Sequence, residues 1–110
     1  MEIIVRKEQT AAVVVLKGRL DAVTAPELER SCLEWIEKGE HKLLLDLAAL
    51  EYVSSAGLRS VLSVAKKLKA AGGSLGLCSL SGLVQEVFSI SGFDSFLPVY
   101  ASVTEGLEKS

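Results

Sequence analysis

The stretch Lys42-Leu43-Leu44-Leu45-Asp46-Leu47, followed by Leu50-Glu51-Tyr52-Val53 and then Ser54-Ser55-Ala56-Gly57, decides the fold. A continuous apolar run as short as Leu43-Leu44-Leu45 predicts a strand covered on both faces. Two serines and a glycine then turn the chain. Beyond them Leu58, Val61, Leu62, Ala65 and Leu68 recur at helical spacing until Ala71-Gly72-Gly73 ends the pattern. Strand, turn and helix form the repeating unit of an α/β sheet.

Outward from this unit the pattern repeats. Upstream, residues 3–7 and 12–17 are short and β-branched and predict a hairpin or neighbouring strands. Gly18-Arg19-Leu20-Asp21 is expected to end the second of them in a turn. Thr24-Ala25-Pro26-Glu27 reads as a capping box, with proline tolerated in the first turn, where amides have no helical partner. Leu28, Cys32, Trp35 and Ile36 share a face of that helix, and Gly39 suits its stop. Downstream, residues 74–79 predict a strand. Ser81 then caps a third helix with Leu83, Val84, Val87 and Phe88 inward, ending near Gly92. Residues 97–100 are a short edge strand because of Pro98, and Ser102-Val103-Thr104-Glu105 is a second capping box. The order is β-β-α-β-α-β-α-β-α. It predicts a mixed, mainly parallel sheet packed by helices, with strand order open.

The chain has 110 residues, 49% of them hydrophobic, which predicts one domain over residues 1–110 with a core of its own. Aromatics are only 5%, so Val, Leu, Ile and Ala must fill that core. The apolar run at residues 11–16 is far short of the roughly 20 needed to span a bilayer. The opening Met1-Glu2-Ile3-Ile4-Val5-Arg6-Lys7 has no secretory pattern, so no membrane association and a cytoplasmic location are expected. Net charge is −2 with signs mixed, which argues against nucleic acid as a partner. Lys66-Lys67-Lys69 reads as a solvated helix face, and Cys32 and Cys78 as free, buried thiols. His41 is the single histidine, and no set of side chains has metal-ligand spacing.

In open α/β sheets functional loops lie beyond the carboxyl ends of the strands. Gly18-Arg19-Leu20-Asp21, the turn from Ser54 to Gly57, and Ser79-Leu80-Ser81-Gly82 would meet there. Catalysis lacks its parts. His41 falls on the opposite rim from Ser55, Val53 stands where a nucleophile elbow needs glycine, and nothing places Asp21 beside Asp46. No phosphate-binding loop and no cofactor motif is present. The serine turn has two readings. Ser54 or Ser55 caps the following helix, with Gly57 there for close packing. Alternatively, an exposed serine at a helix N-terminus is a place where a kinase can add a phosphate that the helix tolerates and a docked partner does not.

Four pieces of the chain together resemble the STAS domain, and more narrowly the bacterial anti-sigma factor antagonists. They are Gly18-Arg19-Leu20-Asp21 with Thr24-Ala25, Leu43-Leu44-Leu45-Asp46-Leu47, Tyr52-Val53-Ser54-Ser55-Ala56-Gly57-Leu58-Arg59, and the Gly72-Gly73 helix end. Ile90-Ser91-Gly92-Phe93 fits the family's third helix end. The resemblance implies the STAS fold and a partner-switching role. The unphosphorylated antagonist binds an anti-sigma factor that is also a serine kinase of the histidine-kinase-like ATPase type, which frees the sigma factor. Phosphorylation of one serine releases the antagonist, and a PP2C-type phosphatase restores it. ATP is then the kinase's substrate, and this chain has no cofactor and no catalytic residue. Carried onto this sequence, the phosphorylated serine is Ser55, with Ser54 as a rival. The partner-binding residues are Asp21, Ser54, Ser55, Ala56, Gly57 and Arg59. The family often has aspartate before the serine and a second serine after it; here Ser54 and Ala56 hold those places. Arg59 is open between holding a phosphate and touching the partner. Two further readings are a STAS module that docks constitutively and a STAS domain that senses a small ligand.

Overall fold

The computed structural model describes residues 1–109. Its elements are β1 (Glu2–Lys7), β2 (Ala12–Leu20), α1 (Ala25–Glu37), β3 (Lys42–Val53), α2 (Ser55–Ala70), β4 (Ser74–Cys78), α3 (Gly82–Ile90), β5 (Val99–Tyr100) and α4 (Val103–Lys109). A single 3-10 turn at Phe93–Ser95 joins α3 to β5. The expected order of elements is present. Strand order, open from sequence, is β1-β2-β3-β4-β5. The β1–β2 hairpin is antiparallel and every later pair is parallel.

Each new strand is laid beside the last, so right-handed crossovers carry α1, α2 and α3 to one face. The strands alternate accordingly. Leu43, Leu45 and Leu47 of β3 enter the large core with Leu28 and Cys32 of α1, Val61 and Leu68 of α2, and Val84 and Phe88 of α3. Leu44 points the other way, into a smaller core with Val13 and Cys78 that Val103 and Leu107 of α4 cover. The triple leucine is therefore apolar throughout because α4 closes the second face.

The structure corrects several local expectations. Gly18-Arg19-Leu20 is strand, not turn: Gly18 pairs with Leu50, Arg19 with Tyr52 and Leu20 with Val53. Two register shifts let β3 use more residues than β2 over this stretch. The last β3–β4 pair is Asp46 with Cys78, so the ends of β2 and β3 project beyond the sheet as a two-stranded ribbon. Thr24 and Ser81 stand at the N-cap positions of α1 and α3 but make no side-chain cap bond. The second capping serine does act, since Ser102 Oγ accepts from the Glu105 amide at 3.1 Å. Leu83, expected inward, is 74% exposed.

Both cysteines are free and buried. Loss of hydration pushes the Cys32 thiol up to about 12 and the Cys78 thiol up to about 11. Thiolate is the reactive form, so at pH 8 the native protein should react only slowly with an aromatic disulfide reagent. In denaturant both thiols should react at once; rapid reaction of the native state would contradict the burial.

Candidate functional site

Parallel packing of β2, β3 and β4 brings their carboxyl ends to one rim. The ribbon sets the serine turn there. The Ser54 amide donates to the Leu20 carbonyl at 2.9 Å, tying the start of α2 to the end of β2. Ser54 has extended backbone angles, and its Oγ accepts from the Gly57 amide at 3.2 Å. Its carbonyl accepts from Leu58. Ser54 is thus the N-cap, and it meets one of the amides a helix leaves unpaired. Ser55 is the first helical residue and is exposed, and among the described residues its hydroxyl has no hydrogen-bond partner. Ala56 is half-buried, Gly57 buried and Arg59 exposed one turn on.

Gly57 is buried because the rim is tight. A Cβ there would lie 2.6 Å from the Leu20 carbonyl oxygen, 2.9 Å from Leu20 Cγ and 3.0 Å from Val53 Cγ2. Beneath it the buried Ser60 hydroxyl donates to the Gly57 carbonyl at 2.6 Å.

Asp21 follows Leu20 and holds the next loop. Its Oδ1 accepts from the amides of Val23 at 3.0 Å and Thr24 at 3.2 Å. Thr24 Oγ1 accepts in turn from the Asp21 amide and donates to the Arg19 carbonyl, both at 2.9 Å. The hydroxyl expected to cap α1 closes this loop instead. The Thr24 amide, with help from that of Val23, holds the Asp21 carboxyl below its usual value, against the effect of partial desolvation. A depressed pKa keeps the loop's bonds intact at neutral pH and loses them as pH falls through the folded value. The Val23 and Thr24 amide resonances should therefore titrate with a midpoint below 3.8. A midpoint above 3.8 would contradict the carboxylate's role. Thr24→Val keeps the shape and removes the hydroxyl's bonds to the Asp21 amide, the Arg19 carbonyl and Asp21 Oδ1, so urea unfolding should show a loss of about 1–2 kcal/mol.

The structure joins Asp21, Ser54 and Gly57 through Leu20, but no hydrogen bond runs from Asp21 or Arg59 to Ser55. His41 lies at the far end of β3, where its carbonyl accepts from the Ser74 amide. Asp46 sits opposite Val15, with Oδ1 accepting from the Ala48 amide at 3.2 Å. Neither side chain is thus placed as a base for Ser55, and no group of three metal-ligating side chains occurs among the described residues. No described helix is long and apolar enough to cross a membrane.

Three exposed apolar residues stand on this rim: Val23 and Tyr52, to which the sequence reading gave no role, and Leu83, which it placed inward. Tyr52 carries the Arg19 guanidinium over its ring at 4.1 Å from the centroid, a cation–π pair between neighbouring strands. Only the register of the ribbon could have revealed that pair.

The model of the STAS domain family matches residues 2–106. BtrV of Bordetella bronchiseptica, a protein named for anti-sigma factor antagonism, is 43% identical over 90% of this chain and 85% of its own length. An anti-sigma-B factor antagonist of Staphylococcus epidermidis is 30% identical over 86% of this chain and 84% of its own. The crystal structure of an anti-sigma factor antagonist from Mycobacterium paratuberculosis superposes with a TM-score of 0.88 at 26% identity, covering 97% of this chain and 91% of that one. A sequential five-stranded sheet, a serine-headed second helix and relatives matched along most of their length lead to one assignment: the chain belongs to the STAS domain family, among the anti-sigma factor antagonists.

Proposed function

We propose that this protein is a phospho-switched antagonist, a binding protein rather than an enzyme, in which Ser55 is the switch. One observation carries the assignment. Ser54 spends its oxygen on the Gly57 amide, while Ser55 presents a free hydroxyl on the rim. The unphosphorylated chain binds an anti-sigma factor in the cytoplasm and so frees the sigma factor. That anti-sigma factor is a serine kinase of the histidine-kinase-like ATPase type. It transfers the γ-phosphoryl group of ATP to Ser55 Oγ, and a PP2C-type phosphatase hydrolyses the ester. The helix N-terminus tolerates the added anion, so the phosphorylated chain stays folded and only the complex is weakened. Asp21, Ser54, Ala56, Gly57 and Arg59 shape or flank the contact. A small-ligand site at the serine turn has less support: the groove beside the turn is about 190 Å³, below the roughly 300 Å³ of ordinary ligand sites, and the larger groove of about 380 Å³ at Leu80 and Gly82 is not lined by the turn.

The test is incubation with the cognate kinase and ATP, followed by peptide mass spectrometry. Ser55→Ala should abolish incorporation. Ser54→Ala should cost about 1 kcal/mol of stability through the lost cap and still accept phosphate. Incorporation that survives Ser55→Ala and disappears with Ser54→Ala would reverse the assignment.

A further inference from the structure

β1 is an edge strand of the sheet. It pairs with β2 on one side, and among the described residues no strand pairs with its outer side. The direction of its backbone groups follows from the hairpin. The Glu8 amide donates to the Ala11 carbonyl at 2.9 Å. Backbone groups alternate in direction along a strand, so the even-numbered residues of β1 face β2, and Ile3, Val5 and Lys7 turn their amides and carbonyls outward. Proline, a bulge or a very short strand commonly keeps such an edge from pairing with another chain. β1 has six residues, no proline and no shift of register against β2. Charge alone is left to guard it, in Glu2, Arg6 and Lys7.

Those charges are spaced to suit one partner. An antiparallel pair of two β1 strands centred on Ile4 sets Glu2 of each copy opposite Arg6 of the other, Ile3 opposite Val5, and Ile4 opposite Ile4. Opposed residues then agree in direction. Ile3 and Val5 exchange backbone hydrogen bonds, while Ile4 with Ile4 and Glu2 with Arg6 fall at the close positions where side chains approach most. Arg6 Nε already holds Glu8 at 2.9 Å, and its guanidinium has further donors for Glu2 of a second copy. Lys7 is ion-paired with Glu40 of its own chain. Other registers fail. Sliding by two residues one way sets Glu2 against Ile4; the other way sets Ile4 against Arg6 and Glu2 against Glu8. In-register parallel pairing puts like charges side by side.

The apolar residues agree with the charges. Ile4 is 40% exposed and stands opposite Val15 of β2, on the face where α4 packs chiefly over β3, β4 and β5. Ile3 and Val5 are half-buried at the margin of the large core on the other face. Pairing across the edge would extend both apolar layers. We infer that β1 is a self-association surface, through which two copies of this chain join antiparallel about Ile4 and make their two sheets continuous. The contact uses no residue of the serine turn, so it stands whether or not Ser55 is the switch. A six-residue edge buries less than the roughly 1,200 Å² of a standard interface, so the dimer is weak and reversible.

The experiment is sedimentation and amide hydrogen exchange of the full chain from about 10 μM to about 1 mM, where even a millimolar dimer is well populated. The mass should rise toward twice that of the monomer, and exchange at the Ile3 and Val5 amides should slow by about twofold or more. Ile4→Lys sets two ammonium groups together on the two-fold axis and should raise the dimer Kd by about tenfold or more. Arg6→Glu, which faces Glu2 with a second carboxylate, should do the same. Adding Glu2→Arg to Arg6→Glu should restore the wild-type Kd to within about threefold. All three positions are exposed, so their urea midpoints should stay near wild type and loss of the dimer is not loss of the fold. A wild-type chain that remains monomeric at the highest concentration would overturn the inference. So would a dimer that survives Ile4→Lys, or one that the reciprocal charge exchange fails to restore.

Discussion

Gly57→Ala should destabilise the protein by about 3 kcal/mol, the upper end of what overpacking costs, measured as a lower urea midpoint with an unchanged slope. The reason lies in which atom the new methyl group meets. The nearest is the Leu20 carbonyl oxygen at 2.6 Å, and that oxygen cannot retreat freely, because it already accepts the Ser54 amide at 2.9 Å. Leu20 is also paired with Val53 across the ribbon. Relief therefore requires the first turn of α2 to lift from β2, which breaks the bond from the Ser54 amide to the Leu20 carbonyl. The same displacement would move Ser55, so the variant that remains folded should be a poorer kinase substrate than wild type. Arg59→Ala, on the exposed side of the same turn, should fall within about 0.5 kcal/mol of wild type. A Gly57→Ala protein as stable as wild type would mean that the contact with Leu20 relaxes without cost.

Phe88→Ala should cost about 3–5 kcal/mol, a large part of the roughly 5–15 kcal/mol that holds a domain of this size folded. Phe88 is fully buried and meets the Phe93 ring edge-on at a centroid distance of 5.6 Å. Its removal leaves a cavity under α3 that the sheet cannot collapse to fill, and it strips Phe93 of its partner. Thermal unfolding should show a fall of well over about 10 °C. The comparison with Leu83, five residues earlier on the same helix, separates two uses of apolar side chains. Loss of Phe88 should be read in stability, whereas loss of the exposed Leu83 should leave stability within about 0.5 kcal/mol of wild type. If Leu83→Ser destabilised the fold as Phe88→Ala does, the outer face of α3 would be core rather than exposed surface.

Much of the fold was legible in local pattern. The caps at Ser54 and Ser102, the apolar stripe of α2 and the uninterrupted Leu43-Leu44-Leu45 each answer to a rule of short range, and each found its element. The failures also have physical causes. Thr24 looked like a cap for α1, yet a hydroxyl can take several partners, and the Asp21 amide and Arg19 carbonyl were nearer once β2 ran on to Leu20. Leu83 had the spacing of a core residue. Helical spacing places a residue on a side of a helix and says nothing of whether something packs there.

The sequence by itself determined the succession of strands and helices, the burial of both cysteines and the presence of a serine at the head of α2, because each depends on periodicity, size and capping within a few residues. The tertiary structure decided which serine is free. Ser54 and Ser55 are chemically identical neighbours. They differ because the Leu20 carbonyl takes the Ser54 amide, so that the Ser54 hydroxyl turns back onto Gly57 and the Ser55 hydroxyl faces outward. It also decided that β3 outruns β4 and leaves a slot beside that serine, a consequence of unequal strand lengths in a parallel sheet. Contacts between residues more than thirty positions apart set both outcomes, and no local pattern carries them.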